Sequence, residues 1–324
     1  MSSSAQANPA TRVTPDNFIR AESNRYFGAV VKQGGFGKLF HRREPSPIDD
    51  QDVVRMNRDT LYSSIVVDLD AGPVTITLPD SSGRFMSMQV FDEDEYVTEV
   101  AYDARPRSYS KEKIGTRYIM VGFRTLVNPE DAEDLKKVHA LQDAIKVEQK
   151  SPGKFEIPDW DAQSQKKVRD ALVTLNETLS DSQHMFGSKS EVDPVRRLIG
   201  AAAMWGGNPE KDAIYLPITP SRNDGKTIYC LTVKDVPVDG FWSVIVYDKD
   251  GYIPKNEHNI YSLNNITAKK DADGSVTVQF GGFDGKTPNC IPIVPGWNYL
   301  VRLYRPREEV LSGKWKFPEA RPVS

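Results

Sequence analysis

Residues 57–64, Asn57-Arg58-Asp59-Thr60-Leu61-Tyr62-Ser63-Ser64, crowd an amide, a guanidinium, a carboxylate and a phenol together. Such groups do two kinds of chemistry. A carboxylate or a phenol takes and gives protons, while an amide and a guanidinium orient oxygen atoms. Asp59 and Tyr62 are therefore the candidate catalytic residues, and Asn57 and Arg58 the candidate substrate-binding residues beside them. The apolar run at 65–69 follows at once, so the polar groups stand at the mouth of a strand. If residues 61–69 are extended, Tyr62, Ser64 and Val66 share one face while Leu61, Ser63 and Ile65 share the other. A cluster placed there aims several polar groups at one cavity. The plainer alternative is that Arg58 pairs with Asp59 and Asn57 closes a turn.

The far half of the chain offers a second set. Trp242, Tyr247, Tyr261 and Tyr304 are aromatic side chains with polar handles in or near strand-like runs. Arg302 stands between apolar neighbours, and a buried guanidinium needs a carboxylate partner or an anionic ligand. Arg58 and Arg302 together would grip a carboxylate substrate, unless they pair internally with Asp59, Asp68 or Asp248.

Other motifs yield to ordinary explanations. Gly-Lys-Thr occurs at 225–227 and 285–287, but Pro220 and Phe280 occupy the positions where a phosphate loop needs its first glycine. Gly34, Gly35 and Gly37 form a turn. His41, His139, His184 and His258 lack paired metal-ligand spacing, and no zinc-type cysteine spacing exists. Cys230 and Cys290 read as two buried free thiols rather than a disulfide. Asp92-Glu93-Asp94-Glu95 reads as a solvated loop rather than a calcium or magnesium site. No Gly-x-Ser-x-Gly elbow is present, and Ser63 or Ser64 would be a nucleophile only with a base at hand. No spacing assigns a metal, and the cofactor is left open.

The elements that must hold these groups follow from periodicity. A first helix begins at Thr14-Pro15-Asp16, with Thr14 as its cap. Short alternating segments between residues 61 and 123, including candidates at 74–78, 84–91 and 118–122, imply a sandwich or jelly roll. Helical spacing then takes over. Asn128-Pro129 caps one helix, another spans about 161–179, and a third opens at Asp193-Pro194. Beyond Gly206-Gly207, five further strands are expected, with hairpin-turn residues at 223–226 and 271–274. The expected fold is mainly β, two jelly-roll-like sandwich modules with an α-helical insert. Its divisions are a tail and helix at 1–39, a β module at 40–127, the insert at 128–207 and a second β module at 208–324.

Composition narrows the partners. A net charge of −3 provides no basic face for a phosphate backbone, so nucleic acid is not expected. No apolar run approaches the roughly 20 residues that span a bilayer. Residues 1–10 read as a loose terminus. The helical stripes and aromatic strands lead to the expectation of a homo-oligomer.

Asn57 through Ser63, then Asp68-Leu69, Gly72-Pro73 and Gly83-Arg84-Phe85, resemble the opening of the bacterial domain-of-unknown-function family numbered 1254. Phe241-Trp242-Ser243, Tyr247-Asp248, Asn256, Tyr261-Ser262, Asp273-Gly274-Ser275 and Arg302-Leu303-Tyr304 resemble its companion, numbered 1214. The resemblance implies two β modules and adds Trp242, Asn256, Tyr261 and Arg302 to the candidate substrate-binding residues. It also implies export signals in many members, which leaves the compartment open between cytoplasmic and exported after signal removal. The expected function is an enzyme acting on a small organic molecule by hydrolysis or elimination. The alternative is a non-catalytic ligand-binding or structural jelly-roll oligomer.

Overall fold

The computed structural model describes residues 10–51 and 54–323, so nearly all of the expected loose terminus lies outside the described residues. The N-terminal half contains β1 (Phe40–His41), β2 (Thr60–Asp68), β3 (Val74–Thr77), β4 (Met86–Asp92), β5 (Val97–Ala101), β6 (Arg107–Tyr109), β7 (Tyr118–Leu126) and β8 (Lys146–Glu148). They form a sheet in the order β1-β2-β7-β4-β5 and a smaller one, β6-β3-β8. Alternation decides how the two stack. Ile65, Val67, Met88, Val90, Val121 and Phe123 turn inward onto Val74 and Ile76. Burying each such side chain stabilises by about 1.5–3 kcal/mol, so register is firmly set here.

The C-terminal half contains β9 (Ala213–Ile218), β10 (Tyr229–Val233), β11 (Trp242–Tyr247), β12 (Ser262–Asn264), β13 (Val276–Phe280), β14 (Cys290–Ile291), β15 (Asn298–Tyr304) and β16 (Arg321–Pro322). Sheets β12-β11-β15-β9 and β14-β13-β10-β16 face each other across Val244, Val246, Val301, Leu231, Val278 and Phe280. The fold is mainly β, two sandwich modules with a helical insert, as expected. Cys230 and Cys290 are both free, flanking Gln279 on neighbouring strands.

The helices are α1 (Phe18–Lys32), α2 (Lys111–Ile114), α3 (Ala132–Asp143), α4 (Ala162–Asn176), α5 (Pro194–Ala203) and α6 (Glu308–Leu311). Asp131, Asp161 and Asp193 cap α3, α4 and α5 by accepting first-turn N–H groups. Two starts differ from expectation. Thr14 and Asn17 close a turn on each other, so α1 begins at Phe18, and Asp131 rather than Asn128 caps α3. α1, α4 and α5 pack through Phe18, Ala21, Leu172 and Ile199. Strand β8 lies within the insert yet pairs with β3, which stitches the insert to the first module. No helix among the described residues is long and apolar enough to cross a membrane.

The acidic run is not a solvated loop. Asp92, Glu93 and Glu95 are buried. Glu93 accepts from Asn24 and from the Arg117 and Tyr118 N–H groups, and Asp94 pairs with Arg20. The run holds a tight turn against α1 because its oxygens answer N–H donors that a solvated loop would leave to water. The modules meet through aromatic rings. Phe85 of the first module meets Phe241 edge-on at 4.9 Å and Tyr304 at 5.3 Å, and those two rings of the second module stack on each other at 4.3 Å.

Candidate functional site: polar rows at the seam between the modules

Strand register assembles the site from two facing sheets. In the first module Tyr62 lies opposite Arg124, and Arg124 opposite Ser87. One step along, Ser64, Gly122 and Gln89 are aligned on the same outer face. In the second module Asn264, Ser243, Arg302 and Tyr215 form a row across β12-β11-β15-β9. These residues occupy the face opposite the sandwich core, turned toward the first module.

The stretch at 55–60 is threaded between the rows. Arg302 Nη2 donates to the Arg55 carbonyl at 2.7 Å and to the Tyr247 hydroxyl at 2.8 Å, and Tyr247 Oη donates to the Met56 carbonyl at 2.7 Å. Asn57 is the hub. Its Oδ1 accepts the Asp59 N–H at 2.9 Å, which closes an Asx turn, while Nδ2 faces Thr60 Oγ1 and Tyr62 Oη at 3.2 Å and Tyr304 Oη at 3.4 Å. The sequence places Asn57, Asp59 and Tyr62 together, and the structure adds Tyr304 and Arg302 to them.

Asp59 is 1% exposed, and its Oδ1 accepts from Asn264 Nδ2 at 3.0 Å. Asp59 Oδ2, Ser243 Oγ and Arg302 Nη1 are buried with no hydrogen bond of regular geometry, although the Ser243 hydroxyl stands close enough to act on the carboxylate. Burial drives the Asp59 carboxyl above its usual range, against the opposing pull of Arg302, Ser243 and Asn264.

Tyr62 is half-buried, with the Arg124 guanidinium 5.7 Å from its ring centroid. Arg124 Nη1 donates to Gln89 Oε1 at 2.5 Å and Nη2 to the Gly206 carbonyl at 3.1 Å, while Gln89 Nε2 donates to the Gly207 carbonyl at 2.7 Å. The loop after α5 thus locks both side chains. Burial would raise the Tyr62 phenol, but Arg124, Thr60 and Asn57 outweigh it, and the phenol falls below its ordinary value. Burial, reinforced by the neighbouring Tyr215 and Tyr62 phenols, holds Tyr304 well above its own. Two phenols joined by one amide are thereby moved in opposite directions. Nothing lies within 4 Å of the place a Cβ would take at Gly122, so the sheet face beside Tyr62 and Arg124 is open there.

Several expected residues lie elsewhere. Arg58 donates to the Ser46 carbonyl and sits over the Tyr261 ring at 5.3 Å, so Arg58 and Arg302 are engaged separately and form no joint grip. Trp242 turns into the sandwich core because its strand neighbours Phe241 and Ser243 face outward. Asn256 ties its own loop through the Ile260 carbonyl, and Tyr261 donates to Asn259. Ser63 has a base nearby, His41 Nδ1 at 2.7 Å. Ser63 is 3% exposed and its hydroxyl also accepts from Gln142 Nε2, so it is closed to an acyl group. Burial lowers the His41 pKa. Among the described residues no three His, Cys, Asp or Glu side chains gather as metal ligands. Two open clefts, at Cys230 with Arg321 and at Gly72 with Lys150, lie away from this seam.

Sequence reasoning missed Arg124, Gln89, Tyr215 and Asn264. The signal for Arg124 was a guanidinium two residues after Gly122, in a strand that runs on to Leu126.

The comparisons agree with this architecture. The chain is similar to the VPA0106 protein from Vibrio parahaemolyticus over 96% of its own length and 98% of that chain, with 17% identity and a TM-score of 0.70. It is also similar to an uncharacterised protein from Burkholderia cenocepacia over 95% and 88% of the two chains, with 10% identity and a TM-score of 0.50. These likenesses show the fold alone. No curated protein matches the chain. Residues 36–122 match the family model described as protein of unknown function DUF1254 and residues 219–308 that described as protein of unknown function DUF1214, so the chain carries these two family regions in that order.

Proposed function

We propose that the protein is an enzyme acting on a small organic molecule at the seam between its modules, by elimination or hydrolysis, with Tyr62 as the proton-transfer group. One observation carries the reading. A phenol whose ionisation is favoured by the Arg124 guanidinium stands on a sheet face left open over Gly122. Proton transfer is most efficient when the group's pKa approaches the working pH, and Arg124 moves Tyr62 in that direction. Asn57 holds the Tyr62 oxygen. Asp59 is a positioning residue in this reading, enclosed and bonded to Asn264.

The test is turnover of an ester and hydroxy-acid panel by wild type, Tyr62→Phe and Asp59→Asn. The first variant is expected to lose about a hundredfold or more. Full turnover by Tyr62→Phe removes the proposal.

The enclosure of Asp59 and Arg302 favours a second, non-catalytic reading, in which the polar rows only lock the modules together. It predicts no turnover by any form and lowered stability in Asp59→Ala. Exposed Val173 and Leu175 on α4, with Val195 on α5, support the homo-oligomer, which analytical sizing tests.

A further inference from the structure

We propose that the open face beside Tyr62 binds the carboxylate of a small organic acid, with Arg124 as its anchor. This names the ligand class of the site proposed above and rests on that reading. Charge balance points to Arg124. Arg124 and Arg302 both act on the Tyr62 and Tyr304 phenols, and the Asp59 carboxylate acts on Arg302. Asp59 stands on the Arg302 side of the seam, bonded to Asn264. The acceptors bound to Arg124, Gln89 Oε1 and the Gly206 carbonyl, are neutral, and among the described residues no Asp or Glu pairs with it. A half-buried guanidinium among neutral acceptors favours the arrival of an anion. Its flat fork of N–H donors matches the two oxygens of a carboxylate. Arg302, by contrast, is enclosed and has the Asp59 carboxylate to act on it. Gly122 provides room, because the strand there lacks a side chain and no atom lies within 4 Å of where a Cβ would stand.

The test is calorimetric titration of the full chain with acetate, benzoate, neutral benzamide and inorganic phosphate. It uses wild type, Arg124→Gln and Gly122→Val. Benzoate and acetate are expected to bind and benzamide not to. Arg124→Gln is expected to weaken the carboxylates by about tenfold or more. Gly122→Val fits a strand and meets no neighbour at its Cβ, so it is expected to fold as wild type does while filling the space and losing the carboxylate. Unchanged benzoate affinity in both variants overturns the proposal, as does binding of phosphate without binding of either carboxylate. The outcome separates from that of the proton-transfer reading. Arg124-dependent benzoate binding with full turnover by Tyr62→Phe sustains the anchor and removes the proton transfer. Turnover that needs Tyr62 on a neutral substrate, with no carboxylate bound, does the reverse.

Discussion

At the scale of single residues Arg124 sets the acidity of Tyr62. The guanidinium favours the phenolate, so activity that needs the phenolate rises with pH through the Tyr62 pKa, below the ordinary phenol value of 10.0. Replacing Arg124 with Gln removes that help while keeping a polar side chain, and the rising limb of a kcat/KM profile is expected to move to higher pH. An unmoved limb would separate the two residues. The crowding of Asn57, Asp59 and Tyr62 was legible because they are near neighbours in sequence at the start of β2, where alternation sets the face that Tyr62 takes. Arg124 was not legible. Gly122 is a weak strand residue, and a pattern that stops at it leaves the next outward-facing position unread. Arg58 misled for the opposite reason. Residues 54–59 precede β2, no alternation governs them, and adjacency to Asp59 says nothing of where the guanidinium points.

At the scale of elements the turn between β4 and β5 and the loop after α5 decide whether Arg124 and Gln89 stay in place. Glu95 joins them, accepting the Gly206 N–H at 3.0 Å from a left-handed backbone with φ 61°. Burial pushes the Glu95 carboxyl from 4.5 up to about 8. The folded state therefore holds a proton that the unfolded chain has released. The stability this contributes is complete below about 4.5 and is lost as pH rises to about 8, with a slope of up to about 1.4 kcal/mol per pH unit. Glu95→Gln is expected to flatten that slope in urea unfolding measured across the window, with its largest gain over wild type near pH 8. An unchanged slope would mean that Glu95 is already ionised in the fold. The acidic composition at 92–95 was plain in the sequence, but its burial was not, because it depends on α1 and α5 arriving from distant parts of the chain.

At the scale of the whole molecule, β sandwiches place apolar side chains inside and leave outer faces free, and here two outer faces close on each other. The modules and their helical insert were legible from alternation and capping residues. Their mutual orientation was not, since it rests on contacts such as Phe85 against Phe241 that no local pattern encodes. Tyr247→Phe tests the seam, because it removes a hydroxyl that serves both Arg302 and the Met56 carbonyl. It is expected to cost about 1–3 kcal/mol in equilibrium unfolding, and a neutral result would deny that the buried row holds the modules. The most direct test of the central claim is a pH titration by NMR of protein labelled at tyrosine Cζ, with the Tyr62 signal assigned by its absence from Tyr62→Phe. The account predicts that this signal titrates below 10.0 and shifts upward in Arg124→Gln. A Tyr62 phenol that titrates at or above the ordinary value, and is indifferent to Arg124, would contradict it.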